Sequence, residues 1–151
     1  KRENHIDYTA AEITVSAGGK QVLYNALMAT LNPGDEVIIP APYWISYLDM
    51  TLVADGRPVV VECGIDSGFK ITPSQLDAAI TPRTKWLMIN SPGNPSGAIY
   101  SRAELLALAE VLRRHPQVWV LSDDIYEHLR FDGVEFCTMA QVAPDLADFA
   151  R

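Results

Sequence analysis

Short apolar runs alternate with helical patterns along this chain, and that alternation limits its possible folds more than any other feature. Parallel strands joined by helices produce this pattern, because each strand needs a long crossover before the next strand can pair beside it. The sequence therefore predicts an α/β fold with three α/β/α layers and a mostly parallel sheet. The runs of strand length lie at 13–16, 37–39, 59–62, 86–90 and 118–122.

Helix signals fill the stretches between these runs. Apolar residues at helical spacing predict a helix over 20–31, which the Asn-Pro-Gly sequence at 32–34 ends. Capping boxes at 72–75 and 101–104 predict the starts of two more helices. No linker or internal repeat divides the chain, so 1–151 is predicted to be a single domain.

Composition and charge exclude several classes of function. The chain has 151 residues, 48% of them hydrophobic and 21% charged, which provides enough apolar material for one core. Nineteen acidic against twelve basic residues give a formal net charge of -7, which repels nucleic-acid phosphates and anionic lipid surfaces. The apolar runs are also far shorter than the ~18 residues of a membrane span. We expect neither nucleic acid nor a membrane as partner.

The spacing of cysteines and histidines gives no sign of a disulfide framework or a metal site. Cys63 and Cys137 lie far apart without a CxxC pair. The three histidines also lack the spacing of metal ligands. The sequence therefore predicts no metal and a reducing, cytoplasmic location.

A glycine-containing segment between the first predicted strand and helix is a candidate phosphate site. Gly18, Gly19, Lys20 and Gln21 lie where backbone amides and a helix dipole can hold an anion. Glycines used only for a tight turn are the alternative. The segment matches neither GxGxxG nor GxxxxGK followed by Ser or Thr, which argues against a dinucleotide-binding module or an NTPase.

Four further residues follow other predicted strands, at the sheet edge where α/β proteins bind ligands. Trp44 comes after a strand that Pro40 is expected to end, and its indole either stacks on a flat ring or belongs to the core. Asn94, between two prolines and two glycines, either presents its amide to a ligand or forms a turn. Asp123 can hold a cationic ligand nitrogen, with Tyr126 three residues later. Alternatively, Asp123 or its acidic neighbour caps a short helix.

The order and spacing of these segments resemble the class I and II aminotransferases of fold type I, particularly bacterial aspartate aminotransferases. The resemblance covers essentially the whole chain and implies part of that family's large domain. Ser96 and Asp124 stand where threonine and glutamate are frequent in the family. The Asn-Pro-Ser-Gly and Ser-Asp-x-x-Tyr elements are the most specific. The matching segments lie at 17–21, 32–37, 42–44, 90–97 and 122–126.

The resemblance implies a site for pyridoxal 5'-phosphate (PLP). Backbone amides near Gly19, Lys20 and Gln21 would hold its phosphate group, and Trp44 would stack on its pyridine ring. Trp44 would also border the bound amino acid, together with Asn94. These two residues are therefore candidates for binding both the cofactor and the substrate.

Three side chains would contact the polar atoms of that ring. Asn94 and Tyr126 would hydrogen-bond its phenolic oxygen, and Asp123 would keep its nitrogen protonated. The protonated ring draws in the electrons released when the substrate Cα loses a proton. Asp123 is therefore the implied residue of most consequence for the chemistry.

The family's Schiff-base lysine follows a Ser-rich strand segment, and no lysine here has that context. We expect it beyond Arg151, together with the small domain, so the chain alone is predicted to be inactive. Lys20 is the nearest substitute, but its position at the helix start predicts that it faces away from the aldehyde. The lysines considered are Lys1, Lys20, Lys70 and Lys85.

The resemblance implies that the parent enzyme is a homodimer acting on amino acids and 2-oxo acids, with aspartate and 2-oxoglutarate preferred. A prephenate or aromatic aminotransferase would carry the same motifs in this stretch. A non-catalytic regulator domain is a third alternative, which the acidic charge disfavours. The family's first strand normally pairs with a strand expected beyond Arg151, so residues 13–16 are predicted to self-associate or to be partly disordered.

Overall fold

The computed structural model describes residues 4–146, and its four strands form one sheet. The strands are β1 (Glu36–Ala41), β2 (Arg57–Glu62), β3 (Thr84–Asn90) and β4 (Trp119–Asp123). They lie in the order β2-β1-β3-β4, and every neighbouring pair is parallel. This arrangement confirms the predicted α/β fold.

Five α-helices occur within residues 4–146: α1 (Gly19–Thr30), α2 (Ser46–Val53), α3 (Pro73–Ala79), α4 (Arg102–Leu112) and α5 (Met139–Val142). Both predicted capping boxes are present. The hydroxyls of Thr72 and Ser101 accept the amides of Gln75 and Glu104, and the Gln75 and Glu104 side chains accept the amides of Thr72 and Ser101. None of the helices in the described part of the chain is long and apolar enough to cross a membrane.

The two faces of the sheet pack into two separate apolar cores, because successive residues of a strand point to opposite sides. In β1, Ile38 belongs to the core that contains residues of α3, α4 and α5. Its neighbours Val37 and Ile39 belong to the core with residues of α1 and α2. Helices therefore cover both faces, as the prediction of three α/β/α layers requires.

The predicted first strand, at 13–16, is wrong. This segment has no regular structure, and its Ile13 and Val15 side chains are 55% and 91% exposed. A strand is stable only when its backbone groups pair with a neighbour, and no strand within residues 4–146 pairs with this segment. Alternation of apolar residues was therefore not enough to make a strand. The expected self-association of the chain stays a prediction.

β1 runs two residues further than predicted, through Pro40 to Ala41. Its pairing with β3 ends at Ile38, while its pairing with β2 continues to the last residue. Pro40 therefore lies where β1 has a single neighbour, and a missing amide donor is tolerated there. The proline did not end the strand as expected.

The C-terminal ends of β1, β3 and β4 meet at one edge of the sheet because these strands are parallel. Trp44 follows β1, Asn94 follows β3, and Asp123 is the last residue of β4. The register places Asn90, at the end of β3, directly beside Asp123. The fold thus brings together residues that are far apart in the sequence.

Candidate functional site

A cavity of about 340 Å³ opens at this edge of the sheet, between the start of α1 and the end of β4. Its volume lies at the lower end of the range for small-molecule sites, roughly 300–1,000 Å³. The structure therefore collects most of the candidate residues at one place. Six of the seven line it: Gly19, Lys20, Trp44, Asn94, Asp123 and Tyr126.

The start of α1 forms one wall of the cavity. Gly18 precedes the helix with a φ of 90°, a conformation that residues with a Cβ rarely adopt. The first amides of a helix have no partner within it, so those of Gly19 and Lys20 can bind an anion. A Cβ on Gly19 would meet no atom within 4 Å, which leaves open space above this turn.

Gln21, the seventh candidate, is not among the residues that line the cavity. Its amide donates to the Gly18 carbonyl over 3.2 Å, and its side-chain oxygen accepts the Ala17 amide over 2.7 Å. Both groups are thus used to fix the start of α1. Gln21 therefore stabilises the turn that begins α1, while Gly19 and Lys20 line the cavity.

Trp44 is half-buried and offers an indole surface to the cavity. Its ring meets the Tyr47 ring edge-on, with 5.5 Å between the centroids and an interplanar angle of 87°. The Lys20 ammonium lies 4.8 Å from the centroid of the same indole. Lys20 therefore points over the predicted stacking residue, and its expected orientation away from the aldehyde stays a prediction.

Asn94 is held in a tight loop by the end of β3. Its backbone amide donates to the Asn90 side-chain oxygen over 2.8 Å, and the Asn90 side-chain amide donates to the Asp123 carbonyl, also over 2.8 Å. Within residues 4–146, the Asn94 side chain has no hydrogen-bond partner. The loop therefore fixes the Asn94 backbone and leaves its amide group available to a ligand.

The Asp123 carboxylate has one hydrogen bond to each oxygen. Oδ2 accepts the Tyr47 hydroxyl over 2.6 Å, and Oδ1 accepts the Ile125 amide over 3.2 Å. A carboxylate has about four acceptor positions, so roughly two remain for a ligand. No helix follows Asp123 directly, and the residues after it form a turn.

The neighbouring Asp124 has a different environment. Burial raises the pKa of its carboxyl group, and hydrogen bonds from Thr138 and Ser122 oppose that rise. The Ser122 hydroxyl donates to Asp124 over 2.9 Å. Tyr126 lines the cavity beyond the end of β4, as do Asp123 and Asp124. Asp123 therefore contacts the buried Tyr47, whereas Asp124 is held by hydroxyl groups that Asp123 does not contact.

A protein-family model described as "Aminotransferase class I and II" matches residues 1–149.

The chain belongs to this family. The resemblance seen in the sequence motifs is confirmed. Among curated relatives, the aspartate/prephenate aminotransferase of Cereibacter sphaeroides is 67% identical over 98% of the chain, and the aspartate aminotransferase of Rhizobium meliloti is 56% identical over 97%. The chain spans only 37% and 36% of the lengths of these two proteins.

Solved structures agree with this assignment. The aspartate aminotransferase of Rhizobium meliloti superimposes with a TM-score of 0.95 at 56% identity, over 96% of this chain and 36% of that one. The aspartate aminotransferase of Thermus thermophilus, solved with maleate, gives a TM-score of 0.89 at 47% identity, over 95% of this chain and 37% of that one. The fold of this chain is thus shared with two aspartate aminotransferases of solved structure.

Two residues of the site escaped the sequence analysis. Tyr47 has the pattern of an ordinary core residue of α2, and its hydroxyl reaches Asp123 only because β1 and β4 belong to one sheet. Asn90 ends a buried strand with a polar residue, and this signal could have been noticed. Contacts between distant segments gave both residues their place in the site.

Proposed function

We propose that this chain forms the cofactor-binding part of a PLP-dependent aminotransferase that moves the amino group of aspartate to 2-oxoglutarate. Membership of the aminotransferase family supports the reaction class. The names of the relatives support aspartate as a substrate. The proposal treats the chain as a fragment of the family's large domain, with the remaining catalytic groups elsewhere in the parent enzyme.

The convergence of the candidate residues on one cavity is the observation that carries this proposal. The groups that line the cavity suit the parts of PLP. Free amides at the start of α1 suit a phosphate group, the Trp44 indole suits a flat ring, and the Asp123 carboxylate suits a cationic nitrogen. The free Asn94 amide and the Tyr126 phenol suit the ring oxygen.

Each of these residues has a defined task in the proposed function. Gly19 and Lys20 bind the phosphate group through their amides, and Trp44 and Asn94 also border the amino acid. Asp123 holds a proton at the ring nitrogen. When bound, PLP supplies a reactive aldehyde and an electron-withdrawing ring that accepts the electrons released at the substrate Cα.

The Lys20 side chain must move if a ring stacks on the indole face that it covers. An exposed contact of this kind contributes only about 0.5–1 kcal/mol. The side chain is long and flexible, so its displacement is a small cost beside the contacts that a bound cofactor gains. The position of Lys20 therefore agrees with the proposed stacking role of Trp44.

The sharpest test compares the two adjacent acids at the end of β4 in the full-length enzyme. Asp123→Asn is expected to lower kcat for aspartate by about 100-fold, because loss of a charged hydrogen bond of roughly 3 kcal/mol corresponds to that factor. Asp124→Asn is the matched control and should have a small effect. Steady-state kinetics measures both. Comparable losses in the two variants would contradict the assignment of Asp123.

Prephenate is a second candidate substrate, and one specific observation favours it. The 67% identical relative from Cereibacter sphaeroides is named an aspartate/prephenate aminotransferase. Assays of the purified enzyme with aspartate as donor should compare prephenate with 2-oxoglutarate as acceptor. Turnover of 2-oxoglutarate alone would remove the second candidate, and turnover of both would establish a dual specificity.

The location, the oligomeric state and the partners of the parent enzyme are also proposals. We infer that the parent enzyme is a cytoplasmic homodimer that binds amino acids and 2-oxo acids and neither nucleic acid nor membranes. The acidic net charge of -7 supports the last two points, since it opposes binding to anionic polymers and surfaces. Light scattering of the full-length enzyme tests the dimer.

A further inference from the structure

Tyr47 connects the two residues that would hold opposite parts of an aromatic ligand. It lies in the first turn of α2 and is 3% exposed. Its ring packs edge-on against Trp44, and its hydroxyl donates to Asp123 over 2.6 Å. One buried side chain thus touches both the proposed stacking residue and the proposed partner of the ring nitrogen.

The backbone around Tyr47 holds this side chain in place. Its amide donates to the Trp44 carbonyl over 3.0 Å, and its carbonyl accepts the hydroxyl of the buried Thr51 over 2.8 Å. Burial leaves the ring little freedom to turn. The hydroxyl therefore approaches Asp123 from a fixed direction.

The direction of that hydrogen bond determines how Asp123 can turn. With Oδ2 bound by Tyr47 and Oδ1 by the Ile125 amide, rotation of the carboxylate would break both bonds. The two remaining acceptor positions then keep constant directions. Without the Tyr47 hydroxyl, only the longer bond to Ile125 would remain.

We propose that Tyr47 is a positioning residue. It orients the Asp123 carboxylate toward the cofactor ring nitrogen, and it holds the Trp44 ring in a fixed position relative to Asp123. This inference rests on the proposed function. Tyr47 lines the cavity, and the role assigned to it is exerted through Asp123 and Trp44.

The Tyr47 phenol stays protonated and therefore remains a hydrogen-bond donor to Asp123. Burial raises the pKa of its phenol well above the ordinary value, and the hydrogen bond and charge of Asp123 raise it further. The phenol therefore keeps its proton throughout the neutral and mildly basic range. Asp123 is never faced with a phenolate in that range.

The test uses Tyr47→Phe in the full-length enzyme, because phenylalanine keeps the ring against Trp44 and removes only the hydroxyl. Tyr100→Phe is the matched control, since Tyr100 is also buried and its hydroxyl accepts the Ile71 amide over 2.9 Å, outside the site. Asp123→Asn and the double variant Tyr47→Phe/Asp123→Asn complete a mutant cycle. Each variant is checked for folding by circular dichroism.

Three measurements read out the cycle: the dissociation constant of PLP from titration of the apoenzyme, the absorption spectrum of the bound cofactor against pH, and kcat and KM for aspartate. Tyr47→Phe is expected to lower kcat about tenfold, the factor for one hydrogen bond of ordinary strength, with KM nearly unchanged. The pH at which the absorption of its bound cofactor changes should differ from that of the wild type. The double variant should be no worse than Asp123→Asn alone, because Tyr47 acts through Asp123.

The outcomes distinguish the proposed role of Asp123 from the positioning role of Tyr47. If Asp123→Asn is harmless, the proposed role of Asp123 fails, and the role of Tyr47 fails with it. If Asp123→Asn is damaging but Tyr47→Phe matches Tyr100→Phe in kcat and spectrum, only the positioning role is overturned. Multiplied losses in the double variant would also overturn it, since they would show that Tyr47 acts independently of Asp123.

Discussion

Two carboxylates at opposite ends of the same sheet differ in burial and in the number of their hydrogen-bond partners. This difference distinguishes a carboxylate with a structural role from one that can bind a ligand. Glu36, at the start of β1, has a side chain that is only 3% exposed. Its Oε1 is bound by Arg57 and Arg83 over 3.4 and 3.3 Å, and its Oε2 accepts the hydroxyls of Thr81 and Thr84. All the acceptor positions of this carboxylate are therefore filled from within the protein.

Asp123, at the end of β4, has one protein partner for each oxygen and lines an open cavity. The difference indicates that Glu36 joins β1 to the segments around Arg57 and Thr81, while Asp123 retains capacity for a ligand. A buried carboxylate is thus a structural element when its neighbours use all its acceptor positions. It is a candidate for function when some positions face a cavity.

The largest expected effect is on stability. Glu36→Ala should lower the free energy of unfolding by about 3 kcal/mol, at the low end for a broken buried ion pair because both arginines can still reach water. Asp123→Asn should change it by less than about 1 kcal/mol, since an asparagine oxygen can still accept one of the bonds. Urea unfolding of both variants measures the difference. Equal losses would contradict the difference in role between Glu36 and Asp123.

The pH dependence of stability sharpens the same comparison. The Thr81 hydrogen bond lowers the pKa of Glu36 most, Arg83 and Arg57 lower it further, and burial opposes them. Because the folded-state pKa lies below the unfolded value of about 4.3, this stabilisation is complete above that value and is lost as the pH falls through the folded pKa. The difference in unfolding free energy between wild type and Glu36→Gln should therefore shrink in acid. A constant difference would mean that the charge of Glu36 contributes nothing.

The smallest expected effect concerns the cavity wall. Trp44→Ala should weaken PLP binding by about fivefold, which corresponds to roughly 1 kcal/mol of stacking, while the fold remains intact. Trp119→Ala is the control, because Trp119 packs edge-on against Trp86 at 5.1 Å and lies outside the cavity lining. It should reduce stability and leave PLP affinity unchanged. Unfolding of Trp44→Ala without a separate effect on PLP would favour a purely structural tryptophan.

The sequence by itself determined the fold class and most elements, because these depend on local information. Periodicity of apolar residues located β1 to β4, and the capping boxes at Thr72 and Ser101 located the starts of α3 and α4. The motif segments also identified the family and the residues around the cavity. Each of these signals is contained in a few neighbouring residues, so each can be detected without the rest of the chain.

Tertiary structure decided the features that depend on contacts between distant segments. Residues 13–16 have the apolar pattern of a strand, but no strand within residues 4–146 pairs with them, so pairing, which is not a local property, determined the outcome. Tyr47 reaches Asp123 across 76 positions of sequence because parallel strands place their C-terminal ends together. Lys20, at the start of α1, lies over Trp44 through a contact that no local pattern shows. Local patterns cannot encode which side chains meet across a sheet, since that depends on the register and packing of the whole fold.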